Sequence, residues 1–220
     1  FMNTYDPKTV FSSIDKMGRY AFCNQPIITK WNLSRFAECL LPLIENDQEK
    51  AIKIATQAIN SFEQKYEKNW MRMMRNKLGL DGSIKKDKSL ILDLLTWMHE
   101  KKADYTNTFC SLTKKNIKEE KLFQDSKFID WYKRWKIRLA QNNKPYELSL
   151  NLMNLNNPLV IPRNHKVEES LEEASNNNNL KPIHKLLKIL KKPYDFNTEN
   201  DDYKSPPTPN MSKYKTFCGT

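Results

Sequence analysis

Arg163-Asn164-His165 is the run whose residue types could do chemistry together. A guanidinium offers a rigid fork to a carboxylate or phosphate, an amide caps or bridges, and an imidazole titrates near neutrality. The plainer reading has Arg163 pairing with a buried carboxylate to hold the start of a helix. The residue types favour that reading, because no glycine-rich neighbour accompanies the Arg. The glycines, Gly18, Gly79, Gly82 and Gly219, never fall at the spacing of a phosphate-cradling GxGxxG or GxxxxGK loop. His99, His165 and His184 are too dispersed for metal ligation, and Cys23, Cys39, Cys110 and Cys218 form no CxxC pair. His99-Glu100 lacks the second His of a zinc-protease helix, and there is no G-x-S-x-G elbow.

The second stretch is Gly18-Arg19-Tyr20-Ala21-Phe22-Cys23-Asn24-Gln25-Pro26, running on to Trp31-Asn32-Leu33-Ser34-Arg35. It reads as a glycine turn, a short aromatic piece, a Pro stop and an amphipathic helix. Asn24 and Gln25 are amides that tie a loop down, leaving Arg19, Trp31 and Asn32 as structural or substrate-groove residues.

Lys and Arg outnumber Asp and Glu by 37 to 26, a net charge of +11. Such a surplus favours polyanions, but the lysines are scattered among acidic residues, as on a solvated surface. Trp131 and Trp135 beside Lys133, Arg134, Lys136 and Arg138 suit base stacking. Their helical period favours a core-facing stripe instead. A basic helical module for nucleic acid or an acidic protein is therefore the alternative reading, and a non-functional remnant is a third. No apolar run approaches the roughly 18 residues of a membrane span, and no secretory signal opens the sequence, so a cytoplasmic protein is expected.

The positioning elements are helical. Periodicity predicts helices over 32–44, 48–78 and about 90–98, others around Tyr105–Leu112 and Phe128–Leu139, and later ones over 165–175 and 182–191. Pro42 is expected to kink or end the first, Gly79 to stop the second, and Asn164 to cap the sixth. The predicted stripe of the second is Ala51, Ile54, Ala58, Phe62, Tyr66, Met73 and Leu78. The organisation expected is a loop region (1–31), a helical body (32–194) and an extended Pro/Asn/Asp-rich tail (195–220) whose Tyr214 and Phe217 dock back on the body.

Three blocks carry a family resemblance: GRYAFxNQPxxxxWNLxR from Gly18; Asn157-Pro158-Leu159-Val160-Ile161-Pro162-Arg163-Asn164-His165; and Tyr214-Lys215-Thr216-Phe217-Cys218-Gly219-Thr220. In this order the chain resembles the selenoprotein O family, protein adenylyltransferases with a protein-kinase-like fold. The resemblance implies a mainly α chain: the helical C-lobe of a kinase-like α+β fold, with an activation-segment-like region before it. It implies transfer of AMP from ATP to Ser, Thr or Tyr hydroxyls of protein substrates, with Mg or Mn as the metal. Phe1-Met2 match the end of the family's DYGPFGFM-like stretch, which places the catalytic, nucleotide and metal residues upstream. The chain is accordingly expected to be part of a longer polypeptide, inactive alone, with the missing N-terminal lobe as partner. Redox control at Cys218 is also implied; the cysteine that pairs with it in some relatives falls at Phe11 here, and Cys23 is the substitute this sequence offers.

Overall fold

The apolar stripe of Leu90, Ile91, Leu94, Leu95 and Met98 becomes the innermost face of the fold. The structure, a computed structural model, describes residues 2–114, 116–195 and 201–208. Its elements are α1 (Gln25–Ile44), α2 (Gln48–Asn60), α3 (Phe62–Lys77), α4 (Asp87–Glu100), α5 (Tyr105–Ser111), α6 (Ser126–Leu139), α7 (Tyr146–Asn156), α8 (Asn164–Asn177), α9 (Lys181–Leu190) and α10 (Asp201–Lys204). Short 3-10 turns link some of them, and Thr4 and Asp104 form an isolated antiparallel bridge. The described chain is mainly helical, as expected.

The core gathers the end of α3, α4, α5, α6 and Met153 of α7. Burial of α4 and α6 follows from apolar residues recurring every three or four positions. Trp131 and Trp135 stack on each other at 5.9 Å, and their indole N–H groups donate to the carbonyls of Leu90 (2.8 Å) and Leu78 (2.9 Å). Both side chains are fully buried. This removes the base-stacking residues of the nucleic-acid reading: rings closed inside the core have no face to offer.

Several local expectations are corrected. α1 begins at Gln25 rather than Asn32, so residues 25–31 are helical. Pro26 reads as a stop, yet it sits in the first turn, where its missing N–H costs nothing. The end of α1 at Ile44 is as expected, two residues past Pro42, which lies inside the helix. The single helix expected over 48–78 is two, broken at Ser61. Of its predicted stripe only Ala51 and Leu78 are buried; Met74, Trp70 and Met71 make the contact with the core instead. At α8 the N-cap position is held by Arg163, and Asn164 is the first helical residue. Residues 146–156, where periodicity predicts no helix, form α7.

Gly79 ends α3 as expected, at φ +69°. A Cβ there would lie 2.9 Å from Met153 Cγ and from the Ser149 carbonyl, so glycine is also needed to let α7 approach. The turn that follows is fastened by the buried Arg138–Asp87 pair (Nε to Oδ1 2.7 Å) and by Arg138 Nη2 donating to the Asp81 carbonyl at 2.8 Å. Asn142 completes it, donating to the Gly79 carbonyl at 2.8 Å.

Part of the tail, expected to be extended, is helical. Residues 201–204 make a helical turn, and the Lys204 carbonyl accepts from Asn107 Nδ2 at 3.1 Å. Tyr214, Phe217 and Cys218 lie outside the described residues. No helix among the described residues is long and apolar enough to cross a membrane.

Candidate functional site

Arg163 stands at the foot of α8 because Pro162 precedes it and its own carbonyl accepts the first helical N–H groups, from Lys166 and Val167. Its side chain is 1% exposed. Nη1 donates to Asp104 Oδ2 at 2.8 Å and to Asn3 Oδ1; Nη2 donates to Asp104 Oδ1 and Asn107 Oδ1, each at 3.2 Å. Asp104 is itself the N-cap of α5, accepting from the Asn107 N–H at 2.8 Å. One carboxylate thus meets a bidentate cation and a helix N-terminus together, the arrangement that offsets the cost of burying a charge. Around it, Tyr5 N–H donates to the Ala103 carbonyl and Tyr105 N–H to that of Asn3, at 2.9 and 2.8 Å. The N-terminal loop is therefore bolted to α5 and α8 at one point.

Arg163, Asn164 and His165 do not converge. Among the described residues no hydrogen bond joins their side chains, and His165 Nδ1 and Arg163 Nε are buried without partners. Burial, then the Lys166 and Arg163 cations, hold the His165 imidazole below its usual range, with Glu169 opposing. A neutral imidazole at pH 7 follows.

The Gly18 stretch is closed on itself. Gly18 adopts φ +65°, and the Asp15 carboxylate accepts from the N–H groups of Arg19 and Tyr20, both at 2.8 Å. Asn24 Nδ2 donates to the Gly18 carbonyl (2.7 Å) and Gln25 Nε2 to that of Tyr20 (2.5 Å), so both amides hold the loop. Pairing of the Phe22 and Cys23 N–H groups with the Thr9 and Pro7 carbonyls fixes the loop's other side. What the loop presents outward is Arg19, whose guanidinium lies 4.7 Å from the centroid of Trp31 on α1. Asn32 is exposed beside Trp31, and Cys23 is an exposed free thiol.

Between these two places lies an aromatic cluster. Tyr5 stacks on Tyr105 at 5.6 Å and meets Phe22 edge-on at 6.1 Å; Tyr105 meets Phe109 at 5.2 Å. Burial raises the phenol pKa of Tyr5 and, more strongly, that of Tyr105. Lys77 enters from α3, with Nζ 4.5 Å from the Phe109 centroid and 5.5 Å from that of Tyr105. Burial pulls its ammonium down to about 8, and burial pushes the nearby Cys110 thiol up to about 11.

The sequence reading missed Asn3, Asp104, Asn107 and Lys77. Asp104 carried a signal, an Asp ahead of a helical run with Asn107 three residues on, which is N-cap spacing. Lys77 carried none, since a lysine at a helix end is ordinarily solvated. Among the described residues no three His, Cys, Asp or Glu side chains converge as metal ligands would.

Comparison with known proteins bears on the same residues. The family described as "Protein adenylyltransferase SelO" matches residues 1–191. "Protein nucleotidyltransferase YdiU" of Pelagibacter ubique is 54% identical over all 220 residues, and the proteins of that name from Nitrosococcus oceani and Alcanivorax borkumensis are 49% and 50% identical. The chain spans about half the length of these curated relatives, 45%, 45% and 46% respectively.

Proposed function

The chain belongs to the SelO family of protein adenylyltransferases, and on that premise we propose that it is the C-terminal part of an enzyme moving AMP from ATP to Ser, Thr or Tyr hydroxyls of proteins. The match over residues 1–191 is the observation that carries the reading. In this proposal the helical body is the C-lobe of a kinase-like fold, the N-terminal loop is its activation-segment-like region, and residues 195–220 are its tail. The protein works in the cytoplasm, with protein substrates and the family's N-terminal lobe as partners.

ATP and Mg or Mn belong to the whole family protein in this reading. The described residues do not fit either group: no acidic cluster converges, and the buried Lys77 faces aromatic rings rather than an opening for a triphosphate. No step of the transfer is assigned to a residue of this chain. Its contribution is positioning, which supplies much of the rate in phosphoryl-type transfers. The Arg163–Asp104–Asn3 bolt holds the start of the N-terminal loop, and Asn24 and Gln25 hold its far end.

The test is label transfer from α-labelled ATP. The chain alone is compared with the same chain joined to the N-terminal part of the Pelagibacter ubique relative. The joined protein is expected to label protein hydroxyls with release of pyrophosphate, and the chain alone to label none. A folded joined protein that transfers nothing, or transfer by the chain alone, would overturn the proposal.

A further inference from the structure

Ile27, Trp31 and Arg35, at i, i+4 and i+8 on α1, form a stripe beside the loop that carries Arg19 and Tyr20. Ile27 is 71% exposed, Trp31 49% and Tyr20 47%. The Arg19 guanidinium lies 4.7 Å from the Trp31 centroid and 5.9 Å from that of Tyr20, and the Arg35 guanidinium lies 5.7 Å from Trp31. Arginines lying on an indole lose less freedom on binding than arginines free in solvent, and their N–H edges stay available. Arg35 meets Glu38 one turn on, at 2.5 Å. Among the described residues no carboxylate meets the Arg19 side chain, because Asp15, its neighbour in the turn, is taken by backbone N–H groups. Exposed Trp, Tyr and Arg grouped with an aliphatic residue is the composition of an interaction hot spot, not of an ordinary solvated helix face.

We propose that the Arg19–Trp31–Arg35 ladder is a docking surface for an acidic peptide segment of a protein partner. Carboxylates of the segment take the N–H edges of the two guanidiniums, and an apolar side chain beside them covers Ile27 and Tyr20. Geometry favours a carboxylate over a nucleic acid. A carboxylate binds the guanidinium edge and leaves the stack intact, whereas a nucleobase needs the indole face that Arg19 lies over. Either kind of anion must displace Glu38 from Arg35, which leaves Arg19 as the stronger of the two anchors. The chain's charge of +11 adds attraction at long range. This surface does not depend on the transfer chemistry proposed above.

The experiment is fluorescence anisotropy on the full 220-residue chain, with a labelled peptide of alternating Glu and Leu and a control in which every Glu is Gln. The Glu peptide is expected to bind more tightly than the Gln peptide by about tenfold or more, and Arg19→Gln to lose about that much. Arg19→Lys should recover only part of the loss, since Lys keeps the charge but not the planar fork. Arg35→Gln should lose less, because Glu38 already competes for it. Both side chains, Arg19 and Arg35, are exposed, so the unfolding midpoint should be unchanged and a folding defect would be visible as such. Equal binding of the two peptides, or unchanged affinity in Arg19→Gln, overturns the proposal. So does an oligothymidylate that binds more tightly than the Glu peptide and is lost in the same variants, which would give the surface to nucleic acid. The readout is binding, so failure of nucleotidyl transfer leaves it untouched.

Discussion

Replacing Lys77 with methionine should make the protein more stable, and by an amount that shrinks as pH rises. Lys77 is 7% exposed, and its Nζ has the Asn156 carbonyl at 3.4 Å and two aromatic rings but, among the described residues, no carboxylate. Its fall from 10.5 to about 8 is caused by burial. At about 1.4 kcal/mol for each tenfold change in proton affinity, the fall corresponds to about 3 kcal/mol. The folded pKa is lowered, so below about pH 8 the residue is charged in both states and the folded state bears the whole cost. Between about pH 8 and the unfolded value of 10.5 the unfolded chain holds a proton that the folded chain lacks, and stability climbs with pH. Methionine has nearly the same length and no charge to bury. Against the gain stands the cation–π attraction to Phe109 and Tyr105, about 1–2 kcal/mol. Lys77→Met is therefore expected to be about 1–2 kcal/mol more stable at about pH 7, and no more stable than wild type at about pH 10. Urea unfolding across that range measures both, taken as the difference between the two proteins. The Cys110 thiol, pushed to about 11, lowers stability above about pH 9 in both proteins and largely cancels from the difference. A variant no more stable at neutral pH, or a difference that grows with pH, would refute the reasoning.

Arg163→Met should cost about 3–5 kcal/mol in urea unfolding, since it leaves the Asp104 carboxylate, 13% exposed, without its cation. A loss below about 1 kcal/mol would mean that water replaces the guanidinium. Two glycines give a matched contrast. Gly82→Ala, at φ +68° with nothing within 4 Å, should cost about 1 kcal/mol, while Gly79→Ala, at nearly the same φ, also drives a Cβ into Met153 and Ser149 and should cost clearly more. Equal losses at the two positions would show that α7 moves aside freely. Trp135→Phe removes the donor to the Leu78 carbonyl and part of a fully buried ring, and should cost about 2–3 kcal/mol. A loss near zero would mean that the carbonyl finds another donor.

The helical character, the burial of α4 and α6, the stop at Gly79 and the family were all legible in the chain itself. Each depends on residues close together in sequence: a repeat of three or four for a buried stripe, a glycine after the last turn, and motifs read as strings. Even locally the reading failed where one residue serves two purposes. Pro26 reads as a stop although the first turn of a helix accepts it, and periodicity assigns the apolar residues along α2 and α3 to a face that the fold leaves largely exposed. Other features needed the tertiary structure. Arg163 is 160 residues from Asn3 and 59 from Asp104, and no local pattern says which carboxylate a buried arginine will meet. Trp131 and Trp135 could have served a core or a base-stacking surface, and the packing of α4 against α6 decided for the core. Lys77 became a buried cation only because distant segments close around it, and Arg19 came to lie over Trp31 only because the Gly18 turn folds back onto α1. Local spacing sets what a segment prefers. Desolvation and pairing are set by whatever packs against it, and that is a property of the whole fold.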